Sequence, residues 1–512
     1  MNLLYPDGID NTQLLSEEAY KDLAIDEILD SMIISKDDRE IIRDAFMHIP
    51  QSENTIKYRQ DIIKDLMSDD ELSQELEVIL KQLNVLQEFK TNNRFRVVKK
   101  ASLWELIDYM QEMDLYIHIV EALNGVFEKY NMESEGLNEI SKLLKSAINT
   151  DKIDKLKEIV GGLKSEVAGL KSVTIGINLT GELRPDEVFV LEYSTLPIPS
   201  PFEKTSWALS LSSRTKVTYR IPTPFMKHVA DDMEKELSKS VQNYKKELKN
   251  YVNFSGYFLL DICNDLKFYL LMAKFGRKLQ EKGNTISFPL INESSNDLLI
   301  KGVYNIRLTD NDPSSIVKND FEFQNGERIF ILTGPNRGGK TILTQAVGLA
   351  ALFAALGLFV TADSYTGFHI DKILTHFPAD ENETMSLGRL GEEAVRIQEI
   401  VKEAGEHTLV LLNETYSSTS AEDGLYLARD LVHILKYKNI PCIFNTHIHE
   451  LARNTSQMNE EFEGSGKIVS LSMEIKDNVN TYRILRKEPD SNSYAHNVAL
   501  KYGVTFDQMM NL

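Results

Sequence analysis

The sequence has 512 residues, 42% of them hydrophobic and 26% charged. That is an ordinary globular composition, and at about 150 residues per domain the length predicts three or four domains. The formal net charge of −20 excludes a polyanion binder that is basic all over, but not one whose basic residues are gathered in one place.

From Ser16 to about Leu170 the pattern is helical. Over Glu53–Leu83, Ile56, Ile62, Ile63, Leu66, Leu72, Leu76, Ile79 and Leu80 recur at helical spacings, with charges on the other faces. The texture changes near Val173. VTIGINL and EVFVLEYS cluster β-branched and aromatic residues, and Pro197, Pro199, Pro201, Pro222 and Pro224 follow. Residues 173–224 therefore read as a small β-rich insertion. A second helical block, Phe225–Lys282, comes next. From Asn284 short apolar strands alternate with helices, which is the mark of a mostly parallel sheet covered by helices. Cys263 and Cys442 make no disulfide framework and fit a reducing compartment, so the expected location is the cytoplasm. No basic, then apolar, leader is visible in MNLLYPDGIDNTQ. The apolar run at Ala346–Val360 is too short and Gly-interrupted for a membrane span, so no membrane partner is expected.

The strand RIFILT runs straight into Gly334-Pro335-Asn336-Arg337-Gly338-Gly339-Lys340-Thr341, a full G-x-x-x-x-G-K-[ST] loop between a strand and a helix. Glycines let successive N–H groups curl around a phosphate chain, and the following helix adds the positive end of its dipole. Lys340 can reach the β- and γ-phosphates, and the Thr341 hydroxyl can ligate Mg²⁺. ATP and Mg²⁺ are the expected ligands. The strand TLVLL ends in Asn413-Glu414. Asn413 stands where an Asp would hold the Mg²⁺ shell, and it brings no charge, so weaker metal retention is expected. Glu414 is the candidate to polarise the attacking water. A third strand, PCIFN, ends in Thr446-His447, which puts His447 at the same ligand-binding edge of the sheet.

These motifs, in this order, resemble the MutS-type ATPases of DNA mismatch repair and recombination. TGPNRGGKT is similar to the family's TGPN-x-x-GKS/T loop, and LVLLNETYSSTSAEDG to its LVLxDExGxGTSxxDG segment. NTHIHEL is similar to ATHxxEL, and SYAHNVALKYGV to the SYG-x-x-VA-x-x-AG-V segment. The resemblance is strong over Leu298–Met510. It is weaker over TIKYRQDIIKDL and Phe254–Gly276, which look like parts of the family's lever. It implies a multidomain fold: an α-helical core and lever (1–172), a β-rich clamp-like insertion (173–228), a helical lever return (229–297), and an ABC-like α/β P-loop ATPase domain (298–512). It carries Glu414 and His447 onto catalytic positions and Thr341 and Asn413 onto the metal. Thr419, Ser420, Asp423 and Gly424 fall on a partner-facing loop. Asn319, in VKNDFEF, becomes a base-side contact, and Ser386 and Gly388 become candidates to reach a partner's γ-phosphate. A homodimer is the implied assembly, with repair or recombination proteins as further partners.

The departures from the family pattern are equally specific. Tyr416 and Ser418 replace expected glycines. No F-x-E mismatch-reading motif occurs, and the length leaves no room for the reader's domain ahead of the lever, so no mismatch preference of the usual kind is expected. Between Ser200 and His228, Lys204, Arg214, Lys216, Arg220 and Lys227 face Glu203 alone. This basic excess, with Trp207 and Tyr219, makes Lys204, Arg214, Lys216 and Arg220 the candidate DNA contacts. The cluster Arg94, Arg96, Lys99 and Lys100 is a weaker candidate. The expected function is an ATP-driven clamp on duplex, branched or distorted DNA. The alternative is a nucleotide-dependent protein-assembly module with weak ATPase activity and no DNA binding.

Overall fold

The computed structural model describes residues 2–32, 34–93, 103–148, 151–169, 171–182, 185–197, 258–292, 295–378, 389–477, 479–489 and 505–510. The chain divides into two compact units. The first comprises Met1–Asp70, Glu133–Gly136 and Asn264–Leu512, and the second Glu71–Met132 and Leu137–Cys263. The second unit is thus an insertion in the first. Residues 1–70, which the sequence pattern groups with the helical core, lie in the first unit.

The first unit opens with β1 (Thr12–Leu14), α1 (Glu17–Asp22), α2 (Ile25–Ser31), α3 (Lys36–Met47), β2 (His48–Pro50) and α4 (Glu53–Ser68). Arg59 of α4 is fully buried, which is rare for a charge unless it is hydrogen-bonded. Its Nε donates to Leu4 O at 2.7 Å and its guanidinium to Leu356 O at 3.1 Å. Asp265 holds the amides of Leu3 and Leu4, and the Tyr269 hydroxyl donates to Leu3 O. The first residues are therefore fastened to a segment more than 250 positions away.

The second unit begins with α5 (Asp70–Asn93), followed by α6 (Leu103–Lys129), α7 (Glu135–Ile148), α8 (Asp151–Gly169) and the antiparallel hairpin of β3 (Ser172–Leu179) and β4 (Pro185–Ser194). The apolar spacing over Glu53–Leu83 runs across a break. Asp69 is extended, at φ −133° and ψ 111°. Ser, Asp and Asp in a row favour helix caps over helix interiors, and here they part α4 from α5 at the unit boundary. Ile56, Ile62, Ile63 and Leu66 are buried in one unit, and Leu72, Leu76, Ile79 and Leu80 in the other.

The chain returns to the first unit through α9 (Cys263–Glu281), β5 (Leu290–Ile291), β6 (Leu298–Val303) and β7 (Asn319–Phe323). Then come β8 (Glu327–Thr333), α10 (Lys340–Ala355), β9 (Ser364–Gly367), β10 (Lys372–His376), α11 (Arg389–Glu403), β11 (Thr408–Asn413), α12 (Ala421–Tyr437) and β12 (Cys442–Asn445). The last strands are β13 (Lys467–Lys476) and β14 (Val479–Leu485). A six-stranded sheet runs β10-β11-β12-β8-β13-β14, parallel except for β14. Helices on its faces explain why β8 and β11 are near-continuous apolar runs. A second sheet runs β5-β9-β6-β7. The apolar run predicted to be too short for a membrane is mostly α10, buried along almost its whole length. Among the described residues no helix is long and apolar enough to cross a membrane.

Candidate nucleotide site

Strands β8, β12 and β11 lie side by side and parallel, with Asn445 opposite Leu332 and Asn413 opposite Asn445. Their C-terminal ends therefore deliver the 334–341 loop, Asn413-Glu414 and Thr446-His447 to one edge. The loop folds on itself. Gly338 N donates to Pro335 O at 3.0 Å, and a Cβ on Gly338 would stand 2.8 Å from that oxygen, so no side chain fits there. Gly339, at φ 93°, caps α10 in a left-handed conformation. Lys340 Nζ donates to Gly334 O at 3.0 Å and Pro335 O at 3.1 Å. Burial lowers its pKa, and the nearby Glu414 carboxylate opposes that shift.

A cavity of about 440 Å³ opens beside this loop. Its lining includes Asn336–Thr341 of the loop, Val303, Tyr304, Ile316 and Asn319, and Glu414 and Tyr482. Loop donors together with aliphatic and aromatic side chains in one cavity suit an anion joined to a flat apolar ring. Asn319 is nearly buried. Its Nδ2 donates to Tyr482 O at 3.0 Å, and its Oδ1 accepts from Ile484 N at 2.9 Å. It thereby fixes β14, and with it Tyr482, against the cavity.

Glu414 sits at φ 53°, its amide donating to Asn445 O at 2.8 Å. Its Oε1 lies 2.8 Å from His447 Nε2. The pair leaves the second carboxylate oxygen without this partner, and Glu414 lines the cavity. Thr415, next in sequence, is buried, and its hydroxyl is 2.9 Å from Nδ1 of His376 at the end of β10. Burial, helped by the Arg396 charge, pushes the His376 pKa down to about 4, so the ring is neutral near pH 7.

Thr341 Oγ1 donates to Asn413 Oδ1 at 3.3 Å, and Asn445 Nδ2 donates to the same oxygen. Mg²⁺ is ordinarily held by one or two carboxylates together with substrate phosphates. Here the protein offers one hydroxyl and one amide, both neutral and already bonded to each other. Among the described residues no cluster of three or more His, Cys, Asp or Glu is arranged to hold a metal. Thr341 and Asn413, brought together at this edge, offer a metal no charge of their own.

Of the residues singled out in the sequence, Asn336–Thr341, Asn319 and Glu414 line one cavity. Gly334 and Pro335 supply the carbonyls that hold Lys340, His447 touches Glu414, and Asn413 touches Thr341. Ser420 caps α12, accepting from Asp423 N at 3.2 Å and donating to that carboxylate at 2.7 Å. Ser386, Gly388, Lys204, Arg214, Lys216 and Arg220 lie outside the described residues, as do the cluster 94–100, Trp207, Tyr219 and the 493–504 segment. Sequence reasoning missed Tyr482, His376, Thr415 and Asn445. The available signal for His376 and Asn445 was a polar residue closing an apolar strand in phase with Asn413.

Two family models match the chain: MutS domain V over residues 330–508, and the MutS2 N-terminal domain over residues 51–282. Its relatives include "Endonuclease MutS2" of Caldicellulosiruptor saccharolyticus, 30% identical over 247 residues, which are 47% of this chain and 30% of that protein. "Endonuclease MutS2" of Thermus thermophilus is 32% identical over 135 residues, 26% of this chain and 18% of that protein. "DNA mismatch repair protein MutS" of Clostridioides difficile is 34% identical over 176 residues, 34% of this chain and 18% of that protein. The match thus spans under a third of each of these relatives. One model matches residues 51–282 and the other residues 330–508, which carry most of the six-stranded sheet and of the candidate site, and between them they take in most of the chain, which belongs to the MutS family.

Proposed function

We propose that the chain binds ATP in the 440 Å³ cavity, hydrolyses it slowly, and uses the bound state to control a grip on DNA. The observation that supports this most is the meeting, at three adjacent strand ends, of the phosphate loop and the Glu414–His447 pair. In this reading Lys340 exchanges the carbonyls of Gly334 and Pro335 for the β- and γ-phosphates. The Gly338 and Gly339 amides and the start of α10 supply the remaining positive field. The aliphatic and aromatic lining takes the base, with Asn319 acting there through Tyr482. His447 fixes one oxygen of Glu414 and leaves the other to orient the attacking water. Mg²⁺ enters as the counter-ion of ATP.

The DNA side of the proposal draws on relatives named for mismatch repair and for a MutS2 endonuclease. The core and lever (1–172), clamp-like insertion (173–228), lever return (229–297) and ATPase (298–512) are its working parts. Lys204, Arg214, Lys216 and Arg220 make the phosphate contacts. Ser386 and Gly388 reach the nucleotide of a second copy. Without F-x-E, the target is duplex, branched or distorted DNA and not a single mismatch.

The test separates binding from turnover. Lys340→Ala should abolish binding of a fluorescent ATP analogue. Glu414→Ala should spare binding and reduce phosphate release by about a hundredfold or more. Normal hydrolysis by Glu414→Ala overturns the catalytic assignment. Mobility shifts on homoduplex, mismatched and four-way DNA, with and without ATP, test the rest, and no salt-sensitive binding to any of them would favour a protein-assembly role.

A further inference from the structure

We propose that the amide pair Asn413–Asn445 makes nucleotide binding in this site nearly independent of Mg²⁺. This rests on the ATP-site reading and deepens it. Asn413 closes β11, Asn445 closes β12, and the two stand opposite each other in adjacent parallel strands. Asn445 is fully buried, and its Nδ2 donates to Asn413 Oδ1. The Thr341 hydroxyl donates to that same oxygen. Both lone pairs of Asn413 Oδ1 are therefore engaged inside the protein.

The conclusion holds for either orientation of the amides, whose oxygen and nitrogen are interchangeable by rotation. Turning both amides keeps them bonded to each other. It then presents to Thr341 an NH₂ group, which repels a cation. Neither orientation supplies the negative charge that a carboxylate would. The Asn445 Oδ1 atom is buried without a hydrogen-bond partner. A buried acceptor without a partner is costly, and the arrangement persists because the two side chains lock each other.

Glu414, a carboxylate at this edge, gives one oxygen to His447, and its other oxygen is the one assigned to the attacking water. Neutralisation of the phosphates is left to Lys340, the loop amides and the start of α10, none of which needs a metal. A nucleotide bound in this way keeps its affinity when the divalent ion is removed.

The experiment titrates N-methylanthraniloyl-ATP with the full chain, in Mg²⁺ and in EDTA, and reads fluorescence anisotropy. Wild type should change Kd by less than about threefold on removal of Mg²⁺, whereas Asn413→Asp/Asn445→Ala should lose about tenfold or more. Asn413→Asp alone replaces the double variant if circular dichroism shows that the latter does not fold. A loss of tenfold or more for wild type overturns the proposal. So does a carboxylate variant that remains indifferent to EDTA, because the amides would then not be the cause. Failure of wild type to bind under either condition, with Lys340→Ala no different, refutes the ATP site itself and is distinguishable from both.

Discussion

His376 ends β10 enclosed by protein, 2.9 Å from the hydroxyl of the residue that follows Glu414. Its depressed pKa has a consequence for stability. Above pH 6.5 both folded and unfolded chains hold a neutral imidazole. Below that, the unfolded chain takes up a proton that the folded chain, titrating at about 4, refuses. Stability therefore falls as the pH drops through this window, by about 2 kcal/mol between pH 7 and pH 5. His376→Asn keeps a hydrogen-bonding atom near the Nδ1 position and removes the titration. Urea unfolding at both pH values should show a flatter pH dependence for His376→Asn, and an unchanged slope would assign the effect to another group. Residues of this kind are hard to read from sequence. Lys340, Thr341, Asn413 and Glu414 stand out because the loop pattern fixes identity and spacing together. A His or Asn closing an apolar strand has no such pattern, and its chemistry comes from a neighbour on another strand.

At the scale of elements, the turn Glu414-Thr415-Tyr416 carries two left-handed residues, at φ 53° and 63°. Left-handed backbone costs roughly 1–2 kcal/mol for an ordinary side chain. It also explains why the resemblance leads one to expect glycine at 416. Tyr416 offsets the strain by burial among Leu431, Val432 and neighbouring side chains of the core under α12. Tyr416→Gly relieves the strain but gives up an aromatic side chain worth about 3–5 kcal/mol in such a core. The expected result is net destabilisation of about 1–4 kcal/mol in chemical denaturation; a more stable variant would mean that strain dominates. The strand–loop–helix carrying Lys340 and the apolar strands ending at 413 and 445 were legible because their runs are short, apolar and sharply bounded. Strand β14 was not. VNTYRIL is half exposed and polar, and its role at the cavity depends on Asn319 reaching it from another sheet. The break at Asp69 was hidden because apolar spacing continues on both sides of it.

For the whole molecule, the charge of −20 and the basic stretch from Lys204 to Arg220 pull in opposite directions. Each phosphate neutralised releases counter-ions, so the slope of log affinity against log salt counts the contacts. Replacing Lys204, Arg214, Lys216 and Arg220 by Ala should weaken binding to every DNA and shallow that slope by about 3–4. Anisotropy titrations across a salt series read it directly, and an unchanged slope would locate the DNA elsewhere. The fastening of Leu3 and Leu4 to Asp265 and Tyr269 bears on synthesis rather than on the finished protein. The first 70 residues leave the ribosome long before their partners from Asn264 onward exist. Roughly 190 residues intervene, which is about 10–40 s of translation at about 5–20 residues per second. The inserted unit has its own segments complete within that interval. The N-terminal helices, with Ile42, Phe46, Ile62 and Ile63 destined for burial, must wait as an unfinished half. Nascent chains stalled before Asn264 should therefore be caught by chaperones at their beginning and not at their most recently made end.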